Sequence, residues 1–269
     1  MEKFSFYRCS ICGKEYSQDE ITYTCPMDGG NLDVVLDYTA LRKNLSPDQI
    51  THSNEPSIWR YLPLLPVTDP GYFGSPLHSV GWTPLYQPER IANDLNLEQL
   101  WIKDDGRQPT ASFKDRASAI AILKAREQKA EIITTASTGN AAAALSGLCA
   151  SVQQQNVIFV PKSAPEAKIA QLLTYGSSVV LVEGTYDDAF ELCMAAANEY
   201  GWYNRNTGYN PYMTEGKKTA AFEICEQLNW EIPDRIFVSV GDGCIIGGIH
   251  KGLKDLKALG WIDRIPKLM

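Results

Sequence analysis

The sequence predicts an α/β fold with a parallel sheet, and two observations carry that reading. From Asp115 onward, segments of helical length alternate with short runs rich in Val and Ile. Each run is bounded by Gly or Pro, and strands that alternate with helices in this way are buried on both faces of a parallel sheet.

The first 36 residues form a separate unit. Cys9-x-x-Cys12 is followed by Gly13, a polar strand-like run, and Cys25-Pro26-Met27-Asp28-Gly29-Gly30. Two cysteines two apart and a second knuckle ending in glycines describe a zinc-ribbon-like segment, with Cys9, Cys12, Cys25 and Asp28 as candidate ligands. Asp28 stands where a fourth thiolate is usual, so a ribbon held by packing alone is the competing reading. No helix starts at the Cys9/Cys12 pair to lower a thiol pKa, which disfavours a redox role.

Between Asp37 and Asp69 the sequence predicts one short helix, Tyr38 to Lys43. A passage follows in which Pro56, Pro63, Pro66 and Pro70 break any long periodicity. Gly81-Trp82-Thr83-Pro84-Leu85 is a turn leading into a short strand at Leu85, then a helix from about Pro88 to Leu95. Leu100, Trp101 and Ile102 read as a further strand. The regular part then runs as helix 115–129, strand 132–135, helix 140–151, strand 157–160, helix 165–175, strand 178–182, helix 186–200 and strand 202–204. A helix over 215–228, a strand over 235–240 and a helix over 249–259 close the pattern.

Composition excludes several function classes. The chain has 269 residues, and a formal net charge of −7 argues against a general nucleic-acid binder. No apolar run reaches the roughly 18–20 residues of a membrane span, and the first residues carry no apolar signal region. Cys149, Cys193, Cys225 and Cys244 lie in apolar or glycine-rich surroundings, a usage that fits a reducing cytoplasm. His52, His78 and His250 have neither metal nor triad spacing and read as surface or packing residues.

Three loops carry the candidate chemistry. Lys114 stands where a loop turns into a helix; alone, such a lysine is ordinarily a solvated surface group. Ala136-Ser137-Thr138-Gly139-Asn140-Ala141 follows a strand and opens a helix. Its hydroxyls and free N–H groups suit a carboxylate, although a plain glycine turn is the bland alternative. Gly241 to Gly248 is a glycine-rich loop after an apolar strand, suited to close approach of a phosphate. It matches neither the P-loop nor the dinucleotide fingerprint. A lysine, a phosphate cradle and a carboxylate cradle together point to pyridoxal phosphate, whose aldehyde condenses with a lysine amine.

Ser112-Phe113-Lys114-Asp115-Arg116, Ser137-Thr138-Gly139-Asn140 and Asn210-Pro211-Tyr212-x-x-Glu215-Gly216-Lys217-Lys218-Thr219, in that order behind Gly81-Trp82-Thr83-Pro84-Leu85, resemble threonine synthase. That family has the two-domain fold-type II pyridoxal-phosphate architecture of the tryptophan synthase β superfamily. The resemblance implies Lys114 as the Schiff-base lysine and Asn140 at the cofactor's ring hydroxyl. It further implies Gly241, Asp242, Gly243, Cys244 and Ile245 around the cofactor phosphate, and Ser137 and Thr138 at the substrate carboxylate. The implied reaction converts O-phosphohomoserine and water to threonine and phosphate. A small amino acid is then the partner, a homodimer is usual, and location is cytoplasmic. By the same resemblance, residues 37–269 are the cofactor-binding region, with a small subdomain over approximately 115–204.

Three departures from the family pattern matter. Ile245 stands where a hydrogen-bonding residue is common, and Asp242 brings a negative charge to the phosphate loop. Met213 occupies a position where many members carry an arginine, a loss that Arg116, Arg205, Lys217 or Lys218 could offset. Arg116 is therefore included among the substrate-binding candidates. The sequence stops at Ile265–Met269, where a further strand is expected, implying a large subdomain cut short. A serine/threonine dehydratase-like lyase and an inactive homologue that only binds are the alternatives.

Overall fold

The computed structural model describes residues 4–21 and 23–269; residues 1–3 of the expected ribbon-like segment, and Thr22 within it, lie outside that description. The segment is a small antiparallel sheet of β1 (Phe4–Cys9), β2 (Glu15–Tyr16) and β3 (Leu32–Leu36) in the order β2-β1-β3. A register shift between Phe4 and Phe6 lets both Phe4 and Tyr7 face inward, which strict alternation would forbid. Tyr7 donates its hydroxyl to that of Tyr212 at 2.5 Å, so this sheet is fastened to the main body by a buried contact.

The proline-rich passage is more regular than its composition suggests. Asp37 caps α1 (Tyr38–Asn44) by accepting from the Ala40 N–H at 2.9 Å. Ser46 and Gln49 form a capping box on α2 (Pro47–Thr51), with Pro47 where a missing N–H costs nothing. Ser57 caps a 3₁₀ helix over Ile58–Leu64, whose Ile58, Tyr61 and Leu64 are buried. Helix α1 falls where the sequence placed a helix over Tyr38 to Lys43, whereas α2 and the 3₁₀ helix went unread because their signal is capping chemistry, with too few residues to show a period. β4 (Leu85–Tyr86) and β5 (Ile102–Lys103) pair antiparallel around α3 (Glu89–Asp94).

The predicted alternation forms a parallel sheet. Its elements are α4 (Lys114–Glu127), β6 (Ile132–Ala136), α5 (Asn140–Ser151), β7 (Gln155–Pro161), α6 (Glu166–Thr174), β8 (Ser178–Val182), α7 (Tyr186–Tyr200) and β9 (Tyr203–Asn204). The four strands lie parallel in the order β8-β7-β6-β9. Helix α7 starts at a Thr185/Asp188 capping box and stops at Gly201, whose φ of 66° suits the left-handed cap. Helix α4 is buried from Asp115 through Ala125, the mark of a helix with protein on every side.

The last third departs from expectation in detail. The helix expected over 215–228 begins earlier and is divided at Lys218 into α8 (Tyr212–Lys217) and α9 (Thr219–Gln227). The strand expected over 235–240 is β10 (Arg235–Ile236), paired in parallel with β11 (Lys267–Leu268). Between them lies α10 (Cys244–Leu259). It opens five residues before the expected Ile249, and this corrects the reading of Gly241–Gly248 as one loop. Only Gly241 to Gly243 form the turn; Gly247 and Gly248 lie inside the helix. A Cβ on Gly248 would come within 2.5 Å of the Lys217 Cβ, and one on Gly252 within 2.5 Å of the Lys218 carbonyl oxygen. Those glycines therefore let α10 pack tightly on α8 and α9.

Candidate active site

Lys114 is the first residue of α4 and is half-buried. The loop before it is held in an uncommon conformation, with Ala111 at φ 56°. Asp115 fixes that loop: its carboxylate accepts from the Thr110 N–H at 2.7 Å and from the Thr110 hydroxyl. Burial raises the Asp115 pKa to about 6 against the lowering effect of those bonds. Ser112 accepts from the Lys114 N–H at 3.1 Å.

Two further loops leave the carboxyl ends of neighbouring parallel strands, where ligands of such sheets bind. After β6 come Ser137, Thr138 and Gly139. Gly139 caps α5 without a side-chain hydrogen bond, so the first-turn N–H groups keep their capacity for an acceptor. Asn140, the first residue of α5, is exposed. After β9 come Arg205, Asn206 and Thr207. Asn206 ties the two loops together, its Oδ1 accepting from the Thr135 hydroxyl at 2.8 Å and the Ala136 N–H at 2.9 Å.

The third loop, Gly241-Asp242-Gly243, precedes the 16-residue α10, and Gly243 is at φ 77°. A Cβ on Gly241 or Gly243 would meet nothing within 4 Å, so the turn is an open cradle at a helix N-terminus. Asp242 caps that helix, accepting from the Cys244 N–H at 3.0 Å. The carboxylate is turned onto a backbone donor, and a phosphate at this turn takes the Cys244 N–H only by displacing it. Desolvation raises the Asp242 pKa, but this hydrogen bond and the positive charges of Lys114 and Lys217 outweigh it and leave the group below the usual range. A cavity of about 370 Å³ borders the same turn on the ribbon side, lined by Asn31, Thr207, Asp242 and Cys244; Lys114 and Asn140 do not line it.

Arg116 requires a correction. It is fully buried, and its guanidinium donates to Asp105 at 2.8 Å, Glu223 at 2.5 and 2.8 Å, Thr219 at 3.0 Å and Thr83 at 3.2 Å. With its donors so committed, it is a structural cation and has none left for a substrate. Lys218 is likewise committed, to Glu215 at 2.5 Å and Asp255 at 2.8 Å. Met213 is buried at 1% exposure and faces the core.

Arg205 and Lys217 differ. Both are fully buried, yet Lys217 Nζ and Arg205 Nη2 have no hydrogen-bond partner among the described residues. Burial, then the charges of Arg205 and Lys114, pull the Lys217 pKa down to about 7, against the opposing pull of Cys244 and Asp242. Lys114 beside the open α10 N-terminus fits the aldehyde and phosphate of pyridoxal phosphate, and the two orphaned cationic donors next to them call for anionic acceptor oxygens.

The family described as pyridoxal-phosphate dependent enzyme matches residues 77–267. The chain belongs to this family. Threonine synthase of Methanocaldococcus jannaschii is 39% identical over 262 residues, covering 97% of this chain and 64% of that protein. Threonine synthase of Methanosarcina acetivorans is 37% identical over 263 residues, covering 97% and 63%. The chain thus spans a little under two thirds of the length of these relatives. Among solved structures, the processed form of threonine deaminase isoform 2 from Solanum lycopersicum superposes with a TM-score of 0.61 at 25% identity, covering 73% of this chain and 52% of that one.

One residue that sequence reasoning did not single out, Glu223, and two glycines of the quoted motifs organise the packing of this region. Glu223 accepts from the N–H groups of Trp82 and Thr83 at 2.8 and 3.2 Å and pairs with Arg116 and Lys103. Gly81, at φ 93°, has no room for a Cβ against Ile58 and Glu223. A Cβ on Gly216 would lie 2.1 Å from the Arg116 carbonyl oxygen, so Gly216 lets α8 rest on α4 backbone to backbone. In the sequence Glu223 is one more acid on a helix, with nothing local to mark it.

In the N-terminal segment the ligand atoms of Cys9, Cys12, Cys25 and Asp28 all lie within 4.8 Å of one another. Cys12 and Cys25 sulfurs are 3.8 Å apart, and Cys9 Sγ is 3.4 Å from Asp28 Oδ1. Tyr16 places its hydroxyl 3.0 Å from Cys25 Sγ, and Asp28 Oδ1 accepts from the Gly30 N–H at 2.9 Å. Among the described residues no helix is long and apolar enough to cross a membrane.

Proposed function

We propose that this chain is the cofactor-binding region of a threonine synthase-type lyase, acting on O-phosphohomoserine and water to release threonine and phosphate. The observation that carries this reading is the pair of buried unpartnered cations, Arg205 and Lys217, whose surroundings include Lys114 and the Asp242–Cys244 turn that opens α10. The identity of the relatives at 37–39% supports the choice of reaction. Residues 37–269 would form this region, with approximately 115–204 as its smaller lobe.

In this reading pyridoxal phosphate, when bound, supplies a sink for the electron pair left as a proton departs from the substrate's Cα. Lys114 is the amine directed at the cofactor's aldehyde and, when free, the base that moves protons at Cα and Cβ. Asn140 would meet the ring hydroxyl. Gly241, Asp242, Gly243, Cys244 and Ile245 would hold the cofactor phosphate, with backbone N–H groups as donors, so the apolar side chain of Ile245 is no obstacle. Ser137 and Thr138 at the start of α5 would take the substrate carboxylate.

Adding pyridoxal phosphate to the purified chain should produce an absorbance band near the edge of the visible range. That band should be lost in Lys114→Ala, and threonine should form from O-phosphohomoserine. Neither band nor borohydride-trapped cofactor on Lys114 would sink the reading. A dehydratase-like lyase is the second reading, favoured by the burial of Met213 and the likeness to a threonine deaminase. Turnover of threonine or serine with none of O-phosphohomoserine would select it.

We also propose zinc at Cys9, Cys12, Cys25 and Asp28. A tetrahedral ion with zinc–sulfur bonds of about 2.3 Å sets sulfurs roughly 3.8 Å apart, the edge seen between Cys12 and Cys25. Zinc quantitation should give one ion per chain, falling sharply in Cys12→Ser; equal content in both would exclude the site.

A further inference from the structure

Buried lysine and arginine side chains surround α8, and only some have carboxylate partners. Turning along α8, Glu215 and Lys218 face Asp255 and Lys251, where every charge has an opposite within 3.5 Å. Lys217 points elsewhere. Its Cβ lies against Gly248, one turn along α10 from Cys244, and Arg205, Lys114, Asp242 and Cys244 each act on its charge. Arg205 enters from the end of β9, donating Nε to Ser118 at 3.3 Å and Nη1 to Thr207 at 2.9 Å, and Thr207 lines one cavity with Asp242 and Cys244. Its remaining Nη2, like Lys217 Nζ, is buried with no acceptor among the described residues.

A buried cationic donor without an acceptor is costly, and a second cation beside it adds repulsion. The nearby carboxylates are otherwise engaged: Asp115 holds Thr110, and Asp242 caps Cys244. What the two donors lack is a small, doubly charged group with several acceptor oxygens. The cofactor's own phosphate already has the turn at Gly241–Gly243 and the start of α10. We propose that Lys217 Nζ and Arg205 Nη2 form a buried receptor for a second phosphate monoester, that of the substrate bound at Lys114. This rests on the reading above and makes the pair the determinant of a phosphorylated substrate.

The test is thermal denaturation of the cofactor-loaded chain, titrated with inorganic phosphate against chloride at matched ionic strength. Wild type should show a saturable rise in Tm. Lys217→Met should lose the response, with half-saturation shifted by at least about tenfold. It should also keep or raise the Tm measured without phosphate, because an uncompensated charge is gone. Lys217→Arg should keep the response, and Arg205→Met should weaken it. O-phosphohomoserine, but not homoserine, should compete with phosphate. A phosphate response in Lys217→Met equal to wild type, or none in wild type, overturns the proposal. So does a response seen only before cofactor loading, which would assign the pair to the cofactor's phosphate. A chain that shows the absorbance band at Lys114 yet ignores phosphate refutes this inference alone; a chain without the band refutes the functional reading.

Discussion

Two sets of buried charges sit within one helix turn of each other, and they are built on opposite principles. On one side, Lys218 and Lys251 bracket Asp255 and Glu215 with distances of 2.5–3.5 Å, and Tyr38 donates to Asp255 at 2.6 Å. Nearby, Arg116 is enclosed by Asp105 and Glu223. On the other side, Lys217 Nζ and Arg205 Nη2 lie in the interior with no acceptor among the described residues. A closed network holds helices in register, because removing one partner strands the rest. An open one keeps binding capacity in reserve at the expense of stability, a combination that concentrates at functional sites. The adjacent residues Lys217 and Lys218 therefore have opposite meanings, although chemically they are identical.

That contrast can be broken at either end. The largest effect is expected from Asp255→Ala, which leaves Lys218 and Lys251 facing each other. Loss of a partner in a buried ion network costs about 3–5 kcal/mol, so denaturant unfolding should show a midpoint far below wild type. An unchanged midpoint would mean the network is not the closed structure described. Gly252→Ala should cost less, about 1–3 kcal/mol, since its Cβ must displace the Lys218 carbonyl or move α10. Full stability in that variant would contradict the close packing of α10 on α9.

The pH dependence is the most discriminating. Lys217 releases its proton near pH 7 in the folded chain and near its ordinary 10.5 when unfolded. Between those values the unfolded chain binds more protons, so this group makes stability rise with pH; its penalty is complete below pH 7 and fades toward 10.5. Arg205, Lys114, Asp242 and Cys244 face it and are shared by wild type and variant. Lys217→Met should therefore flatten the rise of stability over pH 7–10 measured on wild type. Parallel profiles would show that Lys217 has a normal pKa and a partner after all.

Much of the architecture was legible from local pattern. Helix 140–151, strand 178–182 and helix 186–200 fall where periodicity placed them, and each is bounded by turn or capping residues. Lys114 stood out as a lysine at a loop-to-helix junction followed by two candidate anion loops. Cys9, Cys12, Cys25 and Asp28 were grouped by spacing alone, and their ligand atoms do converge. The glycine run misled because a glycine needed for a turn and one needed for helix packing look alike in sequence. Gly243 serves the first need and Gly248 the second.

What the sequence by itself determined are quantities set within a few residues: helical and strand periods, caps, the x-x spacing of thiolates and the lysine at a helix start. These depend on backbone geometry that repeats every two to four positions. Which charges are paired was decided only by the tertiary structure. Arg116 meets Glu223 across 107 residues and Lys218 meets Asp255 across 37, contacts that no local pattern encodes. The same packing turns Lys217 away from every carboxylate that satisfies its neighbour. One lysine thus becomes scaffold and the next becomes the candidate anion receptor, because a helix sends adjacent side chains in directions roughly 100° apart.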